Sequence, residues 1–246
     1  MAQLHTTTDF LYLYGLIPAE ELKESEVPAM KGVDQRMVSI KIFKDIAAVI
    51  SLVNSEDYSQ QQIDNRLNDS KWLEEKAFQH HACIEKVHKS FTILPMSFCT
   101  IFQSENNLEN LLHEKYSVIL KMLTGLRDKQ EWNLKIFCSM EQAKAFVENN
   151  LSSVTELKEA LEKMPKGKQF LMKKRLEHLV TAEVEKIQSH WWHEIKQQLE
   201  SVASDLVLRK NWGREVTGRN DDMIANCDVL IEKNKYQEFI HSVQTI

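Results

Sequence analysis

Glycine and proline are scarce in this chain, at six and four of 246 residues. So few backbone breaks over that length favour long helices. The glycines present form no G-x-G-x-x-G and no Walker pattern, and neither G-x-S-x-G nor H-E-x-x-H occurs. Those absences remove the usual phosphate cradle, the esterase nucleophile elbow and the metalloprotease helix. Four cysteines, Cys83, Cys99, Cys138 and Cys227, stand far apart without a C-x-x-C pair. That spacing excludes the ordinary structural zinc site and fits reduced thiols. No run of about 18 apolar residues exists, and the opening "MAQLHTTTDF" has no basic region followed by a long apolar one. Positive excess is also missing, because 31 Lys and Arg face 36 Asp and Glu for a net charge of −5. A general nucleic-acid binder carries the opposite balance. The composition therefore predicts a soluble cytoplasmic protein with no nucleic-acid and no membrane partner.

A chain of this length forms one or two domains and can bury roughly 70–75% of its unfolded surface. "DFLYLYGLIP", residues 9–18, reads as a buried strand. Its Gly15 stands alone, so it is a strand end or a close-packing position and not a phosphate loop. "RMVSIKIF" (36–43) and "IAAVISLVN" (46–54) read as two strands joined by a tight Lys44–Asp45 hairpin turn. A helix starts after Asp69, a natural N-cap. "FTILPMSFCTIF" (91–102) is strand-like and interrupted at Pro95. Leu108, Leu111, Leu112, Tyr116, Ile119, Met122, Leu123 and Leu126 predict one helix over 105–126 that ends near Gly125.

The polar "RDKQ" (127–130) marks a boundary between domains at 1–128 and 129–246. Beyond it come a strand at 131–137, helices at about 140–149 and 152–163, and a break at "MPKGK". A helix over 168–203 follows, on the order of 50 Å long. Strand-like runs at 205–212 and 223–233 and a last helix from Lys235 complete the chain. The fold class is thus α+β, with two domains. The second has the order of a ferredoxin-like unit carrying a long helical hairpin insertion at about 152–203, without the usual closing strand.

Three clusters could carry chemistry. His81, Glu85 and His88 lie on one helix face, near His80 and Cys83, and could bind a divalent metal. The alternative is a solvated face, since one helix rarely fills a coordination shell. In "HWWHE" (190–194), Trp191 fits the apolar stripe. Trp192 either packs in the hairpin or is half-exposed towards a partner. Lys163, Lys166, Lys168, Lys173, Lys174 and Arg175 crowd the hairpin turn, as a solvated tip or a patch for an acidic partner surface. No catalytic residue, cofactor site or metal shell emerges.

Several stretches, in order, resemble the gas vesicle protein F/L family. "LYLYGLIP", with Gly15, is similar to its first strand. "KWLEEKAFQHH" matches its helix through Trp72, Ala77 and His80. "ILPMSFCTIF" resembles its Leu-Pro-x-Arg-Phe-Gly-Thr-x-Phe signature through Leu94, Pro95, Phe98, Thr100 and Phe102. "EWNLKIF", with Trp132, looks like the strand opening its second domain. Ser97 and Cys99 replace the signature's Arg and Gly, which puts in question any role of that Arg and any turn needing that Gly. The resemblance implies two α+β domains, the second a modified ferredoxin-like fold, and neither enzymatic activity nor a cofactor. It implies an accessory or minor structural protein, associated with the gas vesicle, that contacts the hydrophobic shell subunit and other accessory proteins. The competing readings are a metal-dependent module built on His81, Glu85 and His88, and a scaffold that holds accessory proteins through its helical hairpin.

Overall fold

A computed structural model describes residues 9–245. The chain divides into two compact units, Met1–Asp128 and Lys129–Ile246. Both mix helix and sheet, giving an α+β protein.

In the first unit, β1 (Asp9–Pro18) is central. On one side it pairs antiparallel with β3 (Ile46–Asn54), and β2 (Ser39–Phe43) pairs with β3 beyond it. The two-residue Lys44–Asp45 turn joins β2 to β3, with Lys44 at a φ of 53°. A short α1 (Gln60–Arg66), which the sequence pattern does not single out, leads to α2 (Ser70–His88). The Asp69 side chain caps α2 by accepting from the backbone N–H groups of Lys71 and Trp72. The two-residue strands β4 (Leu94–Pro95) and β5 (Ile101–Phe102) then flank β1 on its other side. Pro95, which lacks a donor, lies on an edge strand where it costs least.

Both faces of this sheet are covered, which explains the nearly continuous apolar runs. Tyr12, Tyr14, Ala47, Val49 and Val53 face Cys83 and Val87 of α2. Leu11, Leu13, Leu16, Ile46, Ala48 and Ile50 face a second helical layer. A bulge between Leu13 and Gly15 sets this pattern. Tyr12 and Tyr14 share one side, yet Leu16 falls on the other and Ile17 returns to the first, because the extra residue reverses the alternation.

The second layer corrects the single helix expected over 105–126. It is two helices, α3 (Glu105–Glu114) and α4 (Tyr116–Leu126), separated at Lys115. The break seats Tyr116 against Phe43, with ring centroids 6.3 Å apart, and lets its hydroxyl donate to Asp45. Leu108, Leu112, Ile119 and Leu123 remain on the sheet side. Gly125 lies inside the last turn of α4 and does not cap it. The positive φ after the helix, 55°, belongs to Asp128.

The second unit opens with β6 (Lys129–Cys138), followed by α5 (Met140–Asn150), α6 (Ser152–Glu162) and α7 (Lys166–Val202). The expected break is shorter than "MPKGK", since Lys166, Gly167 and Lys168 are already helical. The strand expected over 205–212 is only β7 (Asp205–Leu208), with the single-turn α8 (Arg214–Thr217) after it. The unit ends with β8 (Asp222–Glu232) and α9 (Tyr236–Thr245). The sheet order is β6-β8-β7, with both pairings antiparallel, so β6 and β7 run the same way on either side of β8.

One sheet face is apolar. Leu134, Ile136, Cys227, Val229 and Ile231 pack under Ile195, Leu199 and Val202 of α7 and Phe239 of α9. The opposite face is polar, with Asn133 donating to Asp228 at 2.8 Å and Arg209 paired to the same carboxylate. α7 is 37 residues long, about 55 Å, and therefore serves two cores. Its C-terminal half covers the sheet, while Val180 and Val184 pack with Ala143 and Val147 of α5 and Val154 of α6. Its first turns, up to Arg175, bury nothing.

Candidate functional site

The motif residues of the first unit gather around the loop between β4 and β5. Trp72 and His80 come from α2, and Phe98 from the loop. The Phe98 ring stands edge-on to both, at 6.2 and 5.8 Å. Leu94 and Phe102 pack on the opposite sheet face. Thr100 turns its hydroxyl to the Ser97 carbonyl at 2.7 Å, and its own carbonyl accepts from Leu13 N–H. Gly15 lies opposite Pro95, and a Cβ there would stand 2.6 Å from Ile93 Cδ1 and 3.0 Å from the Leu94 carbonyl oxygen. It is a close-packing glycine inside β1, not a strand end. Trp132 belongs to the second unit, stacked on Tyr236 at 5.4 Å.

Three residues that the sequence reading did not single out complete this cluster: Tyr12, Tyr14 and Tyr58. The available signal was the alternation "LYLYGL", which places two hydroxyls on one face of a leucine-rich strand. Met96 O can only accept, so His80 Nε2, 3.2 Å away, carries the proton. His80 Nδ1 then accepts from the Tyr12 hydroxyl at 3.0 Å. Tyr12 Oη in turn accepts from Cys99 N–H at 2.9 Å. Tyr14 Oη accepts from Val33 N–H at 2.9 Å and lies 2.9 Å from Ser51 Oγ, while Tyr58 donates to the Val33 carbonyl. Cys99 has a φ of 62°, so the 97–100 turn holds a cysteine in the left-handed region that favours glycine.

Burial decides the chemistry of this cluster. It pushes the Tyr14 phenol up to about 12 and the Cys99 thiol up to about 11, and raises Tyr12 and Tyr58 as well. It lowers His80, against the upward pull of the Met96 carbonyl. The phenols and the thiol therefore stay protonated near pH 7, and His80 is favoured in its neutral form with both ring nitrogens engaged in hydrogen bonds. The network ties α2, the 30–33 loop and the 96–100 loop to the sheet.

The histidine face is not completed. His81, Glu85 and His88 are exposed, and Glu85 pairs with Lys89. Among the described residues no three His, Cys, Asp or Glu side chains converge in a way that could hold a metal ion. The two tryptophans of "HWWHE" divide between the cores of the second unit. Trp191 packs against Phe146 at 5.9 Å, and Trp192 against the sheet core.

An open groove of about 560 Å³ lies beside the end of β6. Ile136, Phe146, Trp191 and Ile195 supply its apolar lining, and Gln142 and Glu194 its polar rim. That volume is within the range of binding clefts. β6 is an edge strand, and among the described residues no strand pairs with its free side. The unpaired side of β6 therefore offers free backbone donors and acceptors in the same unit as this apolar groove. Among the described residues no helix is long and apolar enough to cross a membrane.

A family model for "Gas vesicle synthesis protein GvpL/GvpF" matches residues 10–246. The chain belongs to the GvpL/GvpF family. Membership implies a role in gas vesicle formation, and the family is one of gas vesicle proteins and not a known enzyme family. A relative called gas vesicle protein L, from Streptomyces sp. (strain CB03234), is 26% identical over 93 residues, which span 38% of this chain and 35% of that relative. The crystal structure of GvpF from Anabaena sp. PCC7120 aligns with a TM-score of 0.69 at 18% identity, covering 96% of this chain and 88% of that one. GvpF from Microcystis aeruginosa aligns at 0.62 and 19% identity, covering 97% and 90%. At such identities the likeness is one of fold.

Proposed function

We propose that this GvpL/GvpF protein binds the hydrophobic gas vesicle shell subunit in the cytoplasm and supports its assembly into the vesicle. The observation that carries the reading is the unpaired edge of β6 beside the Phe146–Trp191 groove, in a protein of gas vesicle synthesis. A very apolar subunit exposes surface that aggregates before it is assembled. A free strand edge can cover such a chain by main-chain pairing, and the groove can hold its side chains. The same reading takes 1–128 and 129–246 as domains, the second ferredoxin-like. Its support is the β6-β8-β7 order, which is that of a split β-α-β unit with the strand next to β6 left out. The motif residues around His80 act in it as framework.

Co-purification of the shell subunit with this protein tests the proposal. The wild type should retain it, and Phe146→Asp, on a half-exposed side chain of the groove, should lower the yield about tenfold, as loss of a central apolar anchor does. No retention under conditions that assemble vesicles would sink the reading, and equal retention by the variant would move the contact elsewhere.

A further inference from the structure

The N-terminal end of α7 is built against its own stability. Six cations lie between Lys163 and Arg175, and no Asp or Glu occurs from Lys163 to Leu176. A helix N-terminus carries partial positive charge, and its first turn favours carboxylates. Here the first turn has none, and Lys166 and Lys168 stand in their place. None of the six cations forms an ion pair among the described residues, although the chain as a whole is acidic.

Apolar exposure coincides with this charge. Phe170 is 76% and Leu171 70% exposed, and nothing from Glu162 to Arg175 is buried. At 3.6 residues per turn, Lys166, Phe170, Lys173 and Lys174 fall within about 100° of arc, with Leu171 about 60° beyond Lys174 and Arg175 on the opposite side from Lys166. The exposed face therefore alternates cations with two large apolar side chains. From Leu176 onwards the helix turns its apolar side to α5 and α6, so α7 cannot lie flat in a lipid plane along its length.

We infer that this face is a second docking surface, separate from the β6 groove, whose occupant is an acidic amphipathic helical segment of a partner protein. Carboxylates of that segment would meet Lys166, Lys173 and Lys174, and its apolar side would cover Phe170 and the neighbouring Leu171. The charges set encounter and partner choice, while the two apolar anchors set residence.

The test uses the full chain and a fluorescent 18-residue peptide with Glu on one helical face and Leu on the other. Anisotropy should show micromolar binding at low salt that weakens at least tenfold between 50 and 300 mM salt, on the order expected for several screened charges. Lys166→Glu/Lys173→Glu/Lys174→Glu should weaken it at least tenfold, and Phe170→Ser/Leu171→Ser about fivefold or more. All five positions are exposed, and unchanged thermal melts confirm that the variants fold. No peptide binding, or binding that neither variant changes, overturns the inference. So does co-sedimentation with phosphatidylserine-containing vesicles, or concentration-dependent self-association, that the variants abolish while peptide binding persists. Shell co-purification by these variants should remain as in the wild type, which separates this surface from the groove.

Discussion

Gly15 has little backbone role of its own, since its φ is ordinary; space is what requires it. A methyl group there would meet Ile93 and the Leu94 carbonyl at or below 3.0 Å, next to the bulge that sorts the side chains of β1. Gly15→Ala should therefore cost about 1–3 kcal/mol, as overpacking does, measured by urea unfolding; a loss below about 0.5 kcal/mol would show that β4 yields freely. His80 makes a second prediction. Burial lowers its folded pKa, so the unfolded chain binds the proton more readily. The stability it contributes is present above the unfolded value of about 6.5 and is lost as pH falls towards the folded one. Denaturation curves between pH 7 and 5 should lose up to about 1.4 kcal/mol per pH unit from this group. The groups around it, Tyr12, Tyr14 and Cys99, stay neutral there. In His80→Asn that slope should vanish, and an unchanged slope would assign it to other residues. The sequence named Trp72, His80 and Phe98 by resemblance, but not that their rings meet, because 26 residues separate Trp72 from Phe98 and only the loop between β4 and β5 closes the distance.

Among the elements, the legible ones were those whose periodicity is local. The strands at 9–18 and 46–54, the Asp69 cap and the helices on either side of "MPKGK" follow from apolar spacing and capping residues within a few positions. The break at Lys115 was not legible, because the leucine spacing stays in phase through it. Its cause is Tyr116 meeting Phe43 and Asp45, about seventy residues earlier. Gly125 belongs to the same misreading. It sits inside α4 with open space around the position of a Cβ. Gly125→Ala should stabilise the protein by about 0.5–1 kcal/mol through helix propensity, seen as a higher urea midpoint with an unchanged m-value. A destabilisation would mean that this turn needs glycine for contacts beyond the helix.

At the scale of the molecule, the second unit holds a sheet core and a helical core joined by one helix, α7. If 129–246 is a domain, that fragment expressed alone should unfold cooperatively in urea with tryptophan fluorescence as the probe. A gradual, non-cooperative transition would show that its cores need the rest of the chain. The same unit carries both proposed surfaces, the edge beside Phe146 and the basic tip of α7. Only the tip was visible beforehand, because six cations in thirteen residues stand out in a linear reading.

The sequence by itself determined most of the strands and helices, the apolar stripes along them, and that no G-x-G-x-x-G, Walker, G-x-S-x-G or H-E-x-x-H pattern is present. These properties depend on neighbours within a turn or two, and on residue types alone. The tertiary structure decided that β6 is an edge with a groove beside it, that Trp191 and Trp192 serve different cores, and that Cys99 adopts a left-handed turn to reach Tyr12. Each of these depends on which distant strand or helix arrives as a partner, and that choice is set by competition for burial across the whole chain.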